Sequence, residues 1–263
     1  MKARKTIYPV ALMAAAFALL VMSALAQASQ TDDRIESSAR KSYVFNTYLK
    51  DDAITIASKD GVVTLTGTVN LDYHKELAQH TVESLPNVKS VDNRLELKSA
   101  TPPENSDAWV NAKVTTSLLF HQNVSGTSTE VYVQEGIVTL RGNATSQAQK
   151  DLATEYVKDV VGVKDVKNEM TVPKTLKKAD KKTMGEKIDD MGDKIDDASI
   201  TALVKMTLLY HRSTSALNTR VETNDGVVTL RGKAKNISEK DLAAKFVKDV
   251  RGVKSVKSRM TIE

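Results

Sequence analysis

Cysteine is absent from all 263 residues. Disulfides, thiolate metal sites, cysteine nucleophiles and a lipid-bearing N-terminal cysteine are therefore excluded. No Gly-x-Ser-x-Gly elbow, phosphate-binding loop or dinucleotide fingerprint occurs. The histidines are few, His74, His80, His121 and His211, and include no His-Glu-x-x-His pair, whereas a metal site needs three or four converging ligands. The carboxylates Asp189, Asp190, Asp193, Asp196 and Asp197 lack the spacing of a calcium loop and read as a solvated helix face. The expectation is a protein without catalytic residues, metal or cofactor.

Long apolar runs are also missing beyond the N-terminus. Met1-Lys2-Ala3-Arg4-Lys5 is a basic start, Ile7 to Ala26 an uncharged, largely apolar run, and Ala26-Gln27-Ala28 before Ser29 a small-x-small cleavage pattern. This is the layout of a signal peptide over residues 1–28, cleaved after Ala28. With no twin-Arg the general secretion route is expected, which exports the mature chain and makes nucleic acid an unexpected partner. Removal of Lys2, Arg4 and Lys5 lowers the net charge from +5 to +2, with 35 basic and 33 acidic residues left.

What the chain does have is a repeat. Asp60-Gly61-Val62-Val63-Thr64-Leu65-Thr66-Gly67 recurs as Glu135-Gly136-Ile137-Val138-Thr139-Leu140-Arg141-Gly142. It recurs again as Asp225-Gly226-Val227-Val228-Thr229-Leu230-Arg231-Gly232. An acidic residue and Gly before a β-branched run read as a tight turn feeding a strand. Shifts of 75 and then 90 positions superpose the copies without a gap, giving three 67-residue units over 32–98, 107–173 and 197–263.

Each unit opens with helical spacing: Ile35, Ala39 and Tyr43 match Val110, Val114 and Leu118, and Ile200, Val204 and Leu208. The Asp at the head of each unit, Asp32, Asp107 or Asp197, suits a helix N-terminus and a capping role. A hairpin follows, then a second helix with an apolar stripe at Leu77, Ala78, Thr81, Val82 and Leu85 and at the corresponding positions of the other units. Ser146 with Gln149, and Asn236 with Glu239, fit capping boxes. Pro86-Asn87, Gly162 and Gly252 read as helix C-caps, before a final alternating strand. The fold class is α+β: three small two-layer domains, each α-β-β-α-β, with a three-stranded mixed sheet covered by two helices. The first linker, 99–106, contains Pro102-Pro103. The second, 174–196, is charged and carries Met184, Ile188, Met191 and Ile195 at heptad spacing, which reads as a solvated helical linker.

The repeated [DE]-G-[VI]-V-T-L-x-G hairpin and the later Gly-Val-x-x-Val resemble the BON domain family. The family's glycines fall on Gly67, Gly142 and Gly232, and again on Gly162 and Gly252, where the first unit has Asn87. The turn glycines Gly61, Gly136 and Gly226 belong to the same structural motif. As a whole the chain resembles hyperosmotically inducible periplasmic proteins, which usually carry two such domains. The resemblance implies a periplasmic location, a non-enzymatic role in envelope or osmotic stress, contact with phospholipid surfaces, and an alternative role as a chaperone or scaffold for unfolded envelope proteins.

Charge separates the units. Units one and two have 9 basic against 11 acidic and 6 against 8, each −2, whereas unit three has 13 against 7, or +6. Basic residues near an anionic leaflet contribute on the order of 1 kcal/mol each. The lipid-binding expectation falls on Arg231, Lys233, Lys235, Lys254, Lys257 and Arg259. Lys240, Lys245, Lys248 and Arg251 lie on the second helix of that unit. Trp109, Phe120, Leu209 and Tyr210 are expected in the core, with one or two open to a role as interfacial anchors.

Overall fold

The computed structural model describes residues 29–124, 129–172, 195–214 and 219–263. The leader, and Met184, Ile188 and Met191 of the second linker, lie outside the described residues. Unit one comprises helix α1 (29–41), a short continuation α2 (Tyr43–Thr47), β1 (Ala53–Lys59), β2 (Val62–Val69), α3 (Tyr73–Glu83) and β3 (Ser90–Leu97). Unit two comprises α4 (Asp107–Phe120), β4 (Thr129–Gln134), β5 (Ile137–Gly142), α5 (Gln147–Lys158) and β6 (Asp165–Asn168). Unit three comprises α6 (Asp197–Tyr210), β7 (Thr219–Asn224), β8 (Val227–Ala234), α7 (Ile237–Lys248) and β9 (Ser255–Ile262).

The three sheets have one topology. In each the first two strands pair antiparallel and the last pairs parallel to the middle one. The hairpin turns have positive φ at both central residues, 53° and 80° at Asp60-Gly61, 53° and 79° at Glu135-Gly136, and 50° and 76° at Asp225-Gly226. That is the turn whose twist matches paired strands, and it explains the acidic-Gly dipeptide. Alternate residues of each middle strand face the helices: Val63 and Leu65, Val138 and Leu140, and Val228 and Leu230 are all fully buried.

The aspartate at the head of each unit has a different task from the expected cap. Ser106 and Asp196 are the N-caps, accepting from the Trp109 and Ser199 amides. Asp107 and Asp197 occupy the next position and reach across to the hairpin. The two carboxylate oxygens of Asp197 accept from the Asp225 and Gly226 amides at 2.7 and 2.8 Å, and those of Asp107 from Glu135 and Gly136 at 2.9 Å each. Asp32 accepts likewise from Asp60 and Gly61. A turn with two inward N–H groups needs an acceptor, and the first helix supplies it.

Two further expectations change. The second helices end at C-caps Ser84, Asp159 and Asp249, so Asn87, Gly162 and Gly252 are not caps. They stand three residues later, with φ of 68°, 90° and 82°, where the chain turns into the last strand. In unit one the first helix breaks at Ser42, whose side chain caps α2, and the break moves the buried position from Tyr43 to Val44. The amides freed at the start of α2 are not left unpaired: Tyr43 N–H donates to Asp196 Oδ2 at 2.7 Å and Val44 N–H to Ser199 Oγ at 3.0 Å.

Those acceptors belong to unit three, and they reveal that spatial order differs from chain order. Helix α6 is buried along nearly its whole length, from Ala198 to Tyr210, because it serves two neighbours besides its own sheet. Helix α3 of unit one packs along it, with Glu83 paired to Lys205 at 3.4 Å, and α4 of unit two crosses it. Units one and three thus share one continuous apolar core, into which Phe120 of unit two inserts between Tyr48 and Tyr73. Unit three packs against both of the others.

Candidate functional site

With the helices packed inward, each sheet turns its other face to solvent. On that face of unit three, strand register sets Arg220 opposite Arg231 and Arg231 opposite Arg259, a row of three guanidinium groups across the sheet. Adjacent strands lie about 4.8 Å apart, so the row spans roughly 10 Å. The neighbouring rows hold Glu222, Thr229 and Lys257 on one side and Lys233 and Thr261 on the other. The face therefore carries five basic residues and one acidic one. Glu222 binds Arg220 at 3.1 Å and Arg231 at 3.7 Å. Lys233, Lys257 and Arg259 form no ion pair among the described residues, and all three are exposed.

The equivalent faces differ only in side chains. In unit two the row reads Glu130, Arg141, Glu169, and Arg141 is neutralised by Glu169 at 2.8 Å, which raises the guanidinium pKa. In unit one it reads Thr55, Thr66, Arg94, with Arg94 bound to Asp92 at 2.6 Å and raised in the same way. One backbone thus presents a charge of +4 on the third sheet and zero on the other two, counting outward positions of the paired strands.

Four of the six residues expected from sequence, Arg231, Lys233, Lys257 and Arg259, meet on this face. Lys235 follows β8, where its backbone N–H donates to Glu239 at the start of α7. Lys254 lies at the hairpin end, its N–H bonded to the Gly226 carbonyl at 2.9 Å and its aliphatic stem over that glycine. These two flank the face. Arg220 was missed in the sequence. Its signal was the alternation of β7 combined with the repeat offset, which makes it the counterpart of Glu130 and Thr55. The residues expected in the core are found there, and none serves as an exposed anchor: Phe120 and Tyr210 are buried, and Trp109 and Leu209 are half-buried against the cores.

Among the described residues no group of three or more His, Asp or Glu side chains is placed to hold a metal ion. A hollow of about 340 Å³ lies between units one and two, lined in part by Tyr73, Trp109, Leu119 and Tyr210. The Lys113 ammonium covers the Trp109 and Tyr210 rings at 4.5 and 4.1 Å. Burial lowers the pKa of this lysine. No helix of the described residues is long and apolar enough to cross a membrane.

Three copies of an α-β-β-α-β unit, joined through their helices, define a tandem array of small two-layer domains. The chain belongs to the BON domain family, whose model matches residues 31–99, 106–174 and 196–263. It is 33% identical over 152 residues to Osmotically-inducible protein Y of Escherichia coli (strain K12), covering 58% of this chain and 70% of that protein. It is 30% identical over 157 residues to an uncharacterized protein in gshII 5'region of Anaplasma centrale, covering 60% of this chain and 95% of that one. Among solved structures, CdsD, a structural protein of the type III secretion system of Chlamydia trachomatis, aligns over 84% of this chain and 90% of its own. The TM-score is 0.23 and the identity 15%, too low to carry an argument.

Proposed function

We propose that this is a non-enzymatic periplasmic protein of the osmotic stress response that lies on anionic phospholipid through the outward face of its third sheet. The observation that supports this most is the Arg220–Arg231–Arg259 row, present on one of three otherwise matching sheets. The signal-like leader supports the location, and the likeness to a protein named as osmotically inducible supports the setting. Several cations near an anionic leaflet, each contributing about 1 kcal/mol, give reversible and salt-sensitive binding. The flat sheet surface lets them act together.

The chaperone reading requires a continuous apolar surface. Among the described residues the exposed large apolar side chains, Val62, Leu71, Tyr132, Ile237 and Ile262, are instead dispersed over all three units. Co-sedimentation of the mature protein with phosphatidylglycerol-containing and with purely phosphatidylcholine vesicles tests the proposal. Binding to the former that weakens with salt is expected, and R220E/R231E/R259E is expected to reduce it at least tenfold. Failure to bind either vesicle at low salt would sink the proposal.

A further inference from the structure

The sequence reading left His121 and His211 as helix-end residues. They are the C-cap residues of α4 and α6, and the fold buries them against each other where units two and three meet. The junction is close to two-fold symmetric. His121 bridges to Val250 and His211 to Val160. Arg251 N–H donates to the Phe120 carbonyl, and Val161 N–H to that of Tyr210, both at 3.1 Å. His121 stacks on Tyr156 and His211 on Phe246. Their Nε2 atoms face each other at 3.3 Å. On the outer sides, at ion-pair distance but off hydrogen-bond alignment, His121 Nδ1 lies 3.3 Å from Asp249 and His211 Nδ1 lies 3.4 Å from Asp159. The rings are 0% and 1% exposed, so water cannot substitute for a missing partner.

This is a chain of three links, Asp249 to His121, His121 to His211, and His211 to Asp159. Each link joins two acceptor atoms and needs one proton. Two neutral imidazoles supply two protons, which leaves one link with lone pairs opposed in a dry site. One extra proton fills all three links. A second would set two N–H groups head to head. We propose that the junction of units two and three is a proton-binding site that holds one proton beyond neutrality, with imidazolium at His211 and a neutral Nδ1–H ring at His121.

The surrounding groups favour that assignment. Asp159 is the better-supplied carboxylate, accepting from the Ser213 hydroxyl and amide with the Arg212 guanidinium at 3.9 Å. Burial pushes its carboxyl up, but His211 and Ser213 prevail and hold it below the usual range. Asp249 accepts from the Tyr156 hydroxyl at 2.8 Å and from Asn123. Burial pushes His121 down, and a charge on His211 adds to that effect. Ser117 Oγ lies 3.3 Å from His211 Nε2, a contact whose direction follows the protonation of the ring. The other charged groups at this junction are directed elsewhere: Arg251 Nε donates to the Leu119 carbonyl, and Lys245 pairs with Glu155 at the exposed rim.

Nitrogen-15 NMR of the histidine-labelled mature protein at about pH 6 tests the inference directly. For the His121–His211 pair, assigned separately from buried His74 and from His80, one ring with both nitrogens protonated and one neutral Nδ1–H ring are expected, with the doubly protonated ring absent in D159N. Two neutral rings, two imidazolium rings, or a stoichiometric bound metal in the purified protein would overturn it. Amide exchange of wild-type protein gives a second readout. The docked state holds one more proton than the undocked, whose histidines lose theirs above about pH 6.5. Protection of the Val161 and Arg251 amides should therefore fall by up to tenfold per pH unit above that value, after correction for intrinsic exchange. Flat protection contradicts a proton held at the junction.

Discussion

At Gly67 an added Cβ would overlap the carbonyl oxygen of Ala53 on the neighbouring strand, and φ is 115°. A side chain there is opposed by both space and backbone, so G67A is expected to cost upward of about 1–3 kcal/mol in urea unfolding. Asp197 is the second such point. D197A leaves the Asp225 and Gly226 amides without their acceptor, at about 1–3 kcal/mol. Loss of the ordinary N-cap in S106A is expected to cost about 1 kcal/mol by the same measurement. The repeat made Gly67 and Asp197 visible in the sequence, whereas Ser106 fell in the first linker. Only the glycine's role could be read there, because a φ preference is local. The aspartate's partner lies 28 residues away and two elements later, so its carboxylate passed for a cap.

Among elements, second helices were the most legible. Their stripes are the buried faces observed, and Ser146 and Asn236 cap as expected. The reciprocal side chains of Gln149 and Glu239 reach one residue further back than the simple box, to the Thr145 and Lys235 amides. First helices were misread where tertiary contacts override the pattern, as at Ser42, where the break is matched by Asp196 and Ser199 of another unit. One pH effect belongs at this scale. Glu83 at the end of α3 binds His80, Gln79 and Lys205, and the His80 hydrogen bond foremost holds its pKa at about 2 against an ordinary 4.5. A depressed carboxyl contributes stability that is present above the ordinary value and lost as pH falls toward about 2. Wild-type unfolding midpoints should drop more steeply between pH 5 and 2.5 than those of E83Q. Parallel curves would show that Glu83 does not link α3 to α6.

For the molecule as a whole, the joint core of units one and three makes their stability mutual. F120A removes a fully buried ring contributed by unit two to that core, and about 3–5 kcal/mol of stability is expected to go with it. Amide exchange should rise in units one and three together, and a loss confined to unit two would contradict the shared core. The same packing turns all three helical layers inward and leaves the sheets to face outward. The cationic sheet of unit three is thereby open to solvent.

By itself the sequence determined the number of units, their strands and helices, the turn glycines and the concentration of positive charge in the third copy. Each of these depends on short-range pattern: alternation, helical period, φ preference and residue count. The tertiary structure alone decided that unit three shares its core with unit one, that Arg220 completes the row with Arg231 and Arg259, and that His121 meets His211. These depend on register between strands and on docking between units far apart in the chain. Burial, directional hydrogen bonding and shape set those relations in three dimensions, and no local pattern along the chain records them.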